Sequence, residues 1–224
     1  MSWVADNVDM IWALTLDHLR QSAIAIIAGF VLSVPLGWVA FRYTRLRGTV
    51  LTVVGLLYTI PSFALFALLT TLFGIPYQSE LNLVVALTIY AVAILTRSVT
   101  DGLASVDPGT RSAAVAVGFG GWRRFWTVDF PLAGPVVLAG LRVTAMSTIS
   151  LATVGALIGV QNLGYLFTNG SQRRIIAEVF AGVVAVVVIA VLTDLLLMLA
   201  GRALMPWTRR ISAPRRARPR AVAA

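Results

Sequence analysis

The sequence predicts an all-α integral membrane protein with about five transmembrane helices, and three observations lead to this class. The chain is 58% hydrophobic and only 12% charged, whereas soluble domains usually carry about 25% charged residues. With 224 residues, a water-soluble core could not bury that much apolar surface. Apolar runs also alternate with connections, and the arginines concentrate in every second connection, as in proteins that cross a bilayer repeatedly.

The five predicted spans are the apolar runs of the chain. A helix needs about 20 apolar residues to cross the hydrocarbon core, and only the third run is clearly shorter. The runs cover residues 22–41, 49–73, 82–96, 135–160 and 177–200. We predict one transmembrane helix for each run.

The arginines predict the orientation of these helices, because basic residues are enriched in cytoplasmic loops. The first and third connections and the C-terminal tail are rich in arginine, and the second connection has none. The pair Arg173 and Arg174 in the fourth connection is a mild exception. We therefore expect the N-terminus outside and the C-terminus in the cytoplasm.

We divide the chain into three parts. Residues 1–21 are expected to form a helix in the outer interface, since apolar residues recur there at roughly helical spacing; that they simply extend the first span stays open. Residues 22–204 form the transmembrane domain. Residues 205–224 form a basic cytoplasmic tail, expected to be disordered and to contact anionic lipid.

Composition excludes several classes of site. The chain has no cysteine, so disulfides and cysteine-ligated metals are excluded. The only histidine is His18, expected at the surface or interface, and we predict no metal site and no cofactor. The net charge of +9 does not indicate nucleic-acid binding, because recognition motifs are absent and many arginines lie in the tail.

The connection between the third and fourth spans carries helix-boundary residues. Asp107 can cap a short helix that begins at Pro108, and Gly118 can end it. A second short run starts at Trp122, and we expect Pro131 to stop it before the fourth span. This pattern predicts a structured helix along the membrane face, presented to a cytoplasmic partner.

This connection resembles the coupling-helix motif of ATP-binding-cassette (ABC) importer permeases. The motif is Glu-Ala-Ala, a glycine a few residues later, and a closing Leu-Pro. Ala113, Ala114, Gly118 and Pro131 match it. Ser112 stands where the family has Glu. This difference removes any ion pair that the Glu would make, but the implied docking role of the helix remains.

Other segments are similar to the osmoprotectant branch of these permeases, which carries glycine betaine, carnitine or choline. They are residues 33–37, 58–65, 106–108, 139–142 and 162–164. The methionine permeases are the nearest alternative within the same family.

The resemblance implies a permease that is not itself an enzyme. ATP hydrolysis would belong to a separate cytoplasmic ATPase, in agreement with the absence of a phosphate-binding loop and of any lysine in this chain. The residues implied in docking it are Ser112, Ala113, Ala114, Gly118, Trp122, Arg123, Arg124 and Pro131. The other implied partners are a second permease chain, identical or related, an extracytoplasmic substrate-binding protein and membrane lipid. The implied location is the bacterial inner membrane.

Polar residues in two spans are candidates for a translocation pathway. Pro61 breaks helical hydrogen bonding in the second span, which is tolerated where it lines a cavity, and the neighbouring Tyr58 could hold a quaternary ammonium through cation–π attraction. The candidates are Tyr58, Thr59, Pro61, Ser62, Thr148 and Thr153. Ordinary helix packing is the alternative for the hydroxyls of the fourth span.

An ion pair between Arg142 and Asp194 is predicted to join the fourth and fifth spans. A carboxylate inside a span is costly, and both residues lie at similar depth near the cytoplasmic end. Hydration of Asp194 near the surface is the alternative.

The function that these observations predict is import of a small zwitterionic or cationic osmolyte by alternating access. A membrane assembly protein without a pathway and a passive channel are the alternatives. The structured connection and the polar fourth span disfavour the first, and the lack of a ring-forming charge pattern disfavours the second.

Overall fold

The computed structural model describes residues 2–207, and every regular element among them is helical. The helices are α1 (Ser2–Asp6), α2 (Val8–Arg42), α3 (Thr44–Thr59), α4 (Ser62–Phe73), α5 (Glu80–Ala104), α6 (Pro108–Ala116), α7 (Gly121–Arg124), α8 (Phe130–Ala152), α9 (Gly164–Gln172) and α10 (Ile176–Leu204). A π-helical turn, Phe125–Asp129, precedes α8, and a 3-10 segment, Thr153–Ile158, follows it. The all-α class is confirmed, while most of the predicted tail, residues 208–224, lies outside the described residues.

Four helical stretches of the described chain are long and apolar enough to cross a membrane. They are α2, α5, the stretch Gly121–Ile158 that contains α8, and α10; the bent pair α3–α4 makes a fifth candidate. Successive crossings run in opposite directions. The α6 end of the bundle holds α6, α7 and the α2–α3 connection, and the α9 end holds α9 and the α4–α5 connection.

Helix α5 lies at the centre of the bundle and α10 at its edge. In their most apolar stretches, 61% of the residues of α5 are buried, against 6% for α10. Helices α2 and α8 pack on α5, and α10 packs on α8 and α9. The outer surface of α10 is therefore free for lipid or for another chain.

Helix α2 packs closely on α5. A Cβ at Gly29 would lie 2.5 Å from the Cβ of Ala91, and one at Gly37 would lie 2.6 Å from the Cβ of Val99. Ser33, buried between the two glycines, completes a row of small residues four apart. Such rows let two helix backbones approach closely, so this row sets the distance between α2 and α5.

Residues 8–21 of the N-terminal segment are continuous with the first span in α2. The 35 residues of α2 reach about 52 Å at 1.5 Å per residue, more than the roughly 30 Å hydrocarbon core. No break occurs near residue 21. The placement of residues 1–21 in the outer interface stays a prediction, with extension of the first span as its alternative.

The second predicted span, residues 49–73, is not one straight helix. Helices α3 and α4 meet at Ile60 and Pro61 with a bend of 106°. Proline lacks an N–H group and disfavours helical geometry in the residue before it, and Ile60 is accordingly extended. The apolar run gave no indication of this change of direction beyond the proline itself.

Pro131 does not stop the helical run that starts near Trp122, contrary to our expectation. The chain stays helical from Gly121 to Ile158, with Pro131 in the first turn of α8. The π-helical turn lies directly before it, and the Phe130 N–H donates to the Phe125 carbonyl five residues back. Proline needs no N–H partner at the start of a turn, so it begins α8 rather than ending the preceding run.

His18 is buried rather than at the surface. Its side chain is fully enclosed between α2 and α8, and its Nε2 donates to the carbonyl oxygen of Ile149 at 2.9 Å. The expectation was wrong because His18 falls on the face of α2 that packs against α8.

Candidate functional site

A cavity lies where the α3–α4 bend meets α5 and α8. Its volume is about 240 Å³. Aromatic rings, hydroxyls and aliphatic side chains from four elements line it: Tyr58, Ile60, Ser62, Tyr90, Ile94, Ser147, Thr148 and Leu151. It holds no charged side chain, so a small neutral or zwitterionic solute would meet hydroxyls and ring faces there.

The bend is held in place by Tyr90 of α5. The Tyr90 hydroxyl donates to the Ile60 carbonyl at 2.6 Å, at the point where the helical hydrogen bonds are interrupted. Irregular backbone at membrane depth is tolerated where such groups find partners. The Tyr58 and Tyr90 rings meet edge to face, with centroids 5.9 Å apart. Because Tyr90 is buried and Tyr58 is half exposed, Tyr58 offers the accessible ring.

The structure brings three of the predicted pathway residues together. Tyr58, Ser62 and Thr148 all line the cavity, although they come from different helices. Tyr90 and Ser147 line it as well and were not among the predicted residues. Tyr90 could have been found by its position on the same apolar helix face as other buried residues, but that pattern alone predicts only core packing.

The other three predicted pathway residues do not line the cavity. Pro61 makes the bend and is exposed. The hydroxyls of Thr59 and Thr153 donate to carbonyls of their own helical turns, at Leu56 and Ser150. These bonds are local to each turn, and a pathway role for Thr59 and Thr153 stays a prediction.

Helix α6 begins and ends as the sequence predicts. The Asp107 carboxylate accepts a hydrogen bond from the backbone N–H of Thr110 at 2.8 Å, which is an N-cap. Gly118 follows the helix with a φ of +88°, in the left-handed region that glycine adopts without strain. Within the segment, Ala114 is buried, whereas Ser112 and Ala113 are exposed, so α6 presents an open face at its end of the bundle.

An aromatic cluster follows α6. Trp122 is 74% exposed, stacks on Phe125 and meets Trp126 edge to face. The Arg123 guanidinium lies over the Phe119 ring, 4.8 Å from its centroid. Most of the predicted docking residues are exposed at the α6 end, whereas Ala114 is buried and Arg124 and Pro131 are half-buried.

Arg124 has a buried partner that the sequence pattern did not reveal. Its Nε donates to Asp129 at 3.1 Å, and Arg111 donates to the other oxygen of the same carboxylate at 3.0 Å. Asp129 is only 3% exposed. Asp129 was not among the predicted site residues, and only the fold of the connection brings both arginines to it.

Arg142 and Asp194 form the predicted pair. Arg142 Nε donates to one oxygen of Asp194 at 2.6 Å, and its Nη2 donates to the other at 2.7 Å. This bidentate geometry is the strong form of an arginine–carboxylate contact. The pair joins α8 to the peripheral helix α10, near the α6 end.

The α9 end carries polar groups of its own. Arg20 donates to Glu80 at 2.8 Å, which joins α2 to the start of α5. The buried Asn162 amide donates to the Gln21 side chain and to the Ala152 carbonyl. These contacts fix α2 to the segment that follows α8.

No group of three metal-ligating side chains comes together among residues 2–207. The two organised features are the hydroxyl- and tyrosine-lined cavity inside the bundle and the exposed surface at its α6 end.

Comparison with known proteins identifies a family and several relatives. Residues 25–210 match the family described as binding-protein-dependent transport system inner membrane component. The chain is 33% identical over 197 residues to the osmoprotectant import permease protein OsmW of Salmonella typhimurium, covering 87% of this chain and 92% of that one. It is 29% identical over 206 residues to the glycine betaine/carnitine/choline transport system permease protein OpuCB of Bacillus subtilis, covering 92% and 94%.

The fold is also found among solved structures. A chain of the MetNI methionine ABC transporter, in an inward-facing form, superposes with a TM-score of 0.76 at 20% identity, covering 87% of this chain and 95% of that one. A chain of an amino acid ABC transporter solved with histidines gives a TM-score of 0.68 at 16% identity, covering 92% and 96%.

Proposed function

Because this chain belongs to the family of binding-protein-dependent transport system inner membrane components, we propose that it is the permease subunit of an ATP-driven importer of small osmoprotectants. The substrate class is glycine betaine, choline, carnitine or proline. This class is supported by two related permeases that are named for osmoprotectants. They are 29–33% identical to this chain over most of its length. The transport mechanism is alternating access, in which a bistable helix bundle is biased from both sides.

The observation that carries the proposal is the exposed, capped helix α6 between two membrane helices. A separate ATPase docks on it, and ATP-driven motion of the ATPase reaches the bundle there. The arginine distribution supports placing the α6 end in the cytoplasm. The α9 end then faces outward, where a loaded binding protein docks, and the N-terminus is outside.

The cavity at the α3–α4 bend is part of the pathway in this proposal. A quaternary ammonium has no N–H to donate, so its attraction to protein comes from aromatic faces and carboxylates. Tyr58 supplies an accessible ring, and Ser62, Ser147 and Thr148 supply hydroxyls for a carboxylate group. A second permease chain, identical or related, closes the open side of the cavity.

The test is uptake of radiolabelled glycine betaine by bacteria that lack their own osmolyte importers. They express this chain with an ATPase and a binding protein encoded beside it. Uptake is expected in the wild type and is expected to fall with Gly118→Val, because a β-branched residue is strained at a φ of +88°.

Gly118→Asn is the matched control, since asparagine tolerates the left-handed region and no atom lies within 4 Å of the added Cβ. Uptake of methionine in place of betaine, choline and carnitine would move the chain to another branch of the same family. An assembled complex that moves no small solute would favour the membrane assembly protein.

A further inference from the structure

A buried carboxylate joins the exposed helix α6 to the membrane helices. Asp129 accepts from Arg111 Nε with one oxygen and from Arg124 Nε with the other, at 3.0 and 3.1 Å. A buried charge is stable only when it is paired in this way. Arg111 belongs to α6, Arg124 to α7, and Asp129 to the turn that runs into α8, so one carboxylate links three successive elements.

The guanidinium of Arg111 reaches two more helices. Its Nη2 donates to the carbonyl of Leu103 in the last turn of α5, where helix carbonyls lack intrahelical partners. The same guanidinium lies over the ring of Phe41, 4.5 Å from its centroid, in the last turn of α2. The α6-end termini of α2, α5 and α8 therefore meet at one side chain.

Helix α6 has little other attachment to the bundle. Of its nine residues, only Ala114 is buried. Apart from the chain segments that join α6 to α5 and α7, this short helix can pass a displacement to the membrane helices through Ala114 and Arg111. Of these two side chains, Arg111 is the longer and makes the stronger attachment, because its hydrogen bonds are charge-assisted.

We propose that the Arg111–Asp129 pair is the mechanical joint that transmits movement of α6 to α2, α5 and α8 together. This inference rests on the proposed function, in which α6 docks the ATPase. Both residues are positioning residues that touch no substrate. Arg124 contributes one contact to this joint, its hydrogen bond to Asp129. Arg111, which lies on α6, contacts α2, α5 and the π-helical turn as well.

The test uses the complete transporter, with ATPase and binding protein, in liposomes. Asp129→Asn leaves an amide that cannot satisfy two arginines, and Arg111→Lys keeps the charge but cannot reach Asp129, Leu103 and Phe41 together. Three quantities are measured for each variant: the ATPase that co-purifies, the ATP hydrolysed and the glycine betaine accumulated.

The expected result is a loss of coupling rather than of docking. In both variants the ATPase co-purifies as in the wild type, and ATP is hydrolysed, but the solute accumulated per ATP falls roughly tenfold, the size that loss of a charge-assisted contact in a buried network would give. Arg124→Lys shows a smaller fall. The matched control is Arg45→Lys, because Arg45 is exposed in α3 and belongs neither to the joint nor to the proposed docking surface.

Several results would contradict the proposal that the Arg111–Asp129 pair transmits movement of α6. Solute per ATP unchanged in Asp129→Asn and Arg111→Lys would mean that movement reaches the bundle by another route. Hydrolysis and transport that fall in proportion, or loss of the ATPase from both variants, would reduce the pair to a folding or docking role. If the wild type itself accumulates no osmolyte, the proposed function fails first. If the wild type accumulates osmolyte and both Asp129→Asn and Arg111→Lys behave like Arg45→Lys, this inference alone fails.

Discussion

Arg142 and Asp194 place opposite charges on two neighbouring membrane helices. Removing Arg142 alone, as in Arg142→Leu, leaves a carboxylate without its partner in an apolar helix, which is more costly than having neither charge. We expect Arg142→Leu to lower the unfolding temperature of the purified permease in detergent, and Arg142→Leu with Asp194→Leu to recover most of the loss.

The exposed pair Arg47 and Asp101, 3.4 Å apart, is the control for this cycle. Ion pairs at an exposed surface contribute little, so Arg47→Leu should leave the unfolding temperature nearly unchanged. Additive effects of the two single changes at Arg142 and Asp194 would contradict a direct interaction.

Tyr58 can be tested as the ring that receives a quaternary ammonium. Tyr58→Phe keeps the aromatic face and Tyr58→Leu removes it. A cation–π contact of the usual strength predicts uptake of glycine betaine reduced about three- to tenfold in Tyr58→Leu and little changed in Tyr58→Phe. Equal losses in both variants would point to the hydroxyl or to packing.

Sequence reasoning found some of these residues and missed others for a physical reason. Arg142 and Asp194 could be paired because two charges at similar depth in apolar helices have few other partners. Asp129 could not be assigned, because its arginines come from a connection whose path only the fold determines. His18 was placed at the surface, since a period of 3.6 does not say which face packs.

At the scale of the elements, the α2–α5 contact leaves no room for a larger side chain at Gly37. Gly37→Ala would bring a Cβ to 2.6 Å from the Val99 Cβ, and such overpacking costs about 1–3 kcal/mol. We expect a lower unfolding temperature for Gly37→Ala.

Gly55→Ala in α3 is the matched change, because no atom lies within 4 Å of its added Cβ. Alanine is the better helix former by about 0.5–1 kcal/mol, so Gly55→Ala should be neutral or stabilising. If Gly37→Ala were equally harmless, the small-residue row would not set the helix spacing.

The helices themselves were predicted to different degrees. The cap at Asp107 and the end at Gly118 follow from local chemistry, so sequence alone located them. The 106° bend between α3 and α4 was hidden inside a continuous apolar run, because hydropathy carries no direction. The merger of the Trp122 run with α8 was missed because a π-helical turn accommodates Pro131.

For the whole molecule, the orientation across the membrane can be measured directly. The chain has no cysteine, so single cysteines can be introduced without background labelling. Ser112→Cys lies at the α6 end and Ser171→Cys at the α9 end, and both positions are exposed.

With a membrane-impermeant maleimide, Ser171→Cys should react in intact cells and Ser112→Cys only in inverted vesicles. The permease is expressed without its ATPase, so that docking does not mask position 112. The reverse pattern would invert the orientation and place the proposed docking face outside.

The sequence alone predicted the fold class of the whole molecule, because composition and the alternation of arginines are properties of the whole chain. The cavity was readable only in part. Tyr58, Ser62 and Thr148 were predicted from polar residues inside spans, whereas Tyr90 faces the bend only because α5 lies at the centre of the bundle.

The most direct test of the account is accumulation of radiolabelled glycine betaine in liposomes that contain the permease and its ATPase. Loaded binding protein is supplied on the side of the α9 end and ATP on the side of the α6 end. We predict accumulation above the external concentration, lost when either ATP or the binding protein is omitted. Equilibration without ATP would indicate a passive channel, and no movement of betaine, choline, carnitine or proline would contradict the osmoprotectant importer.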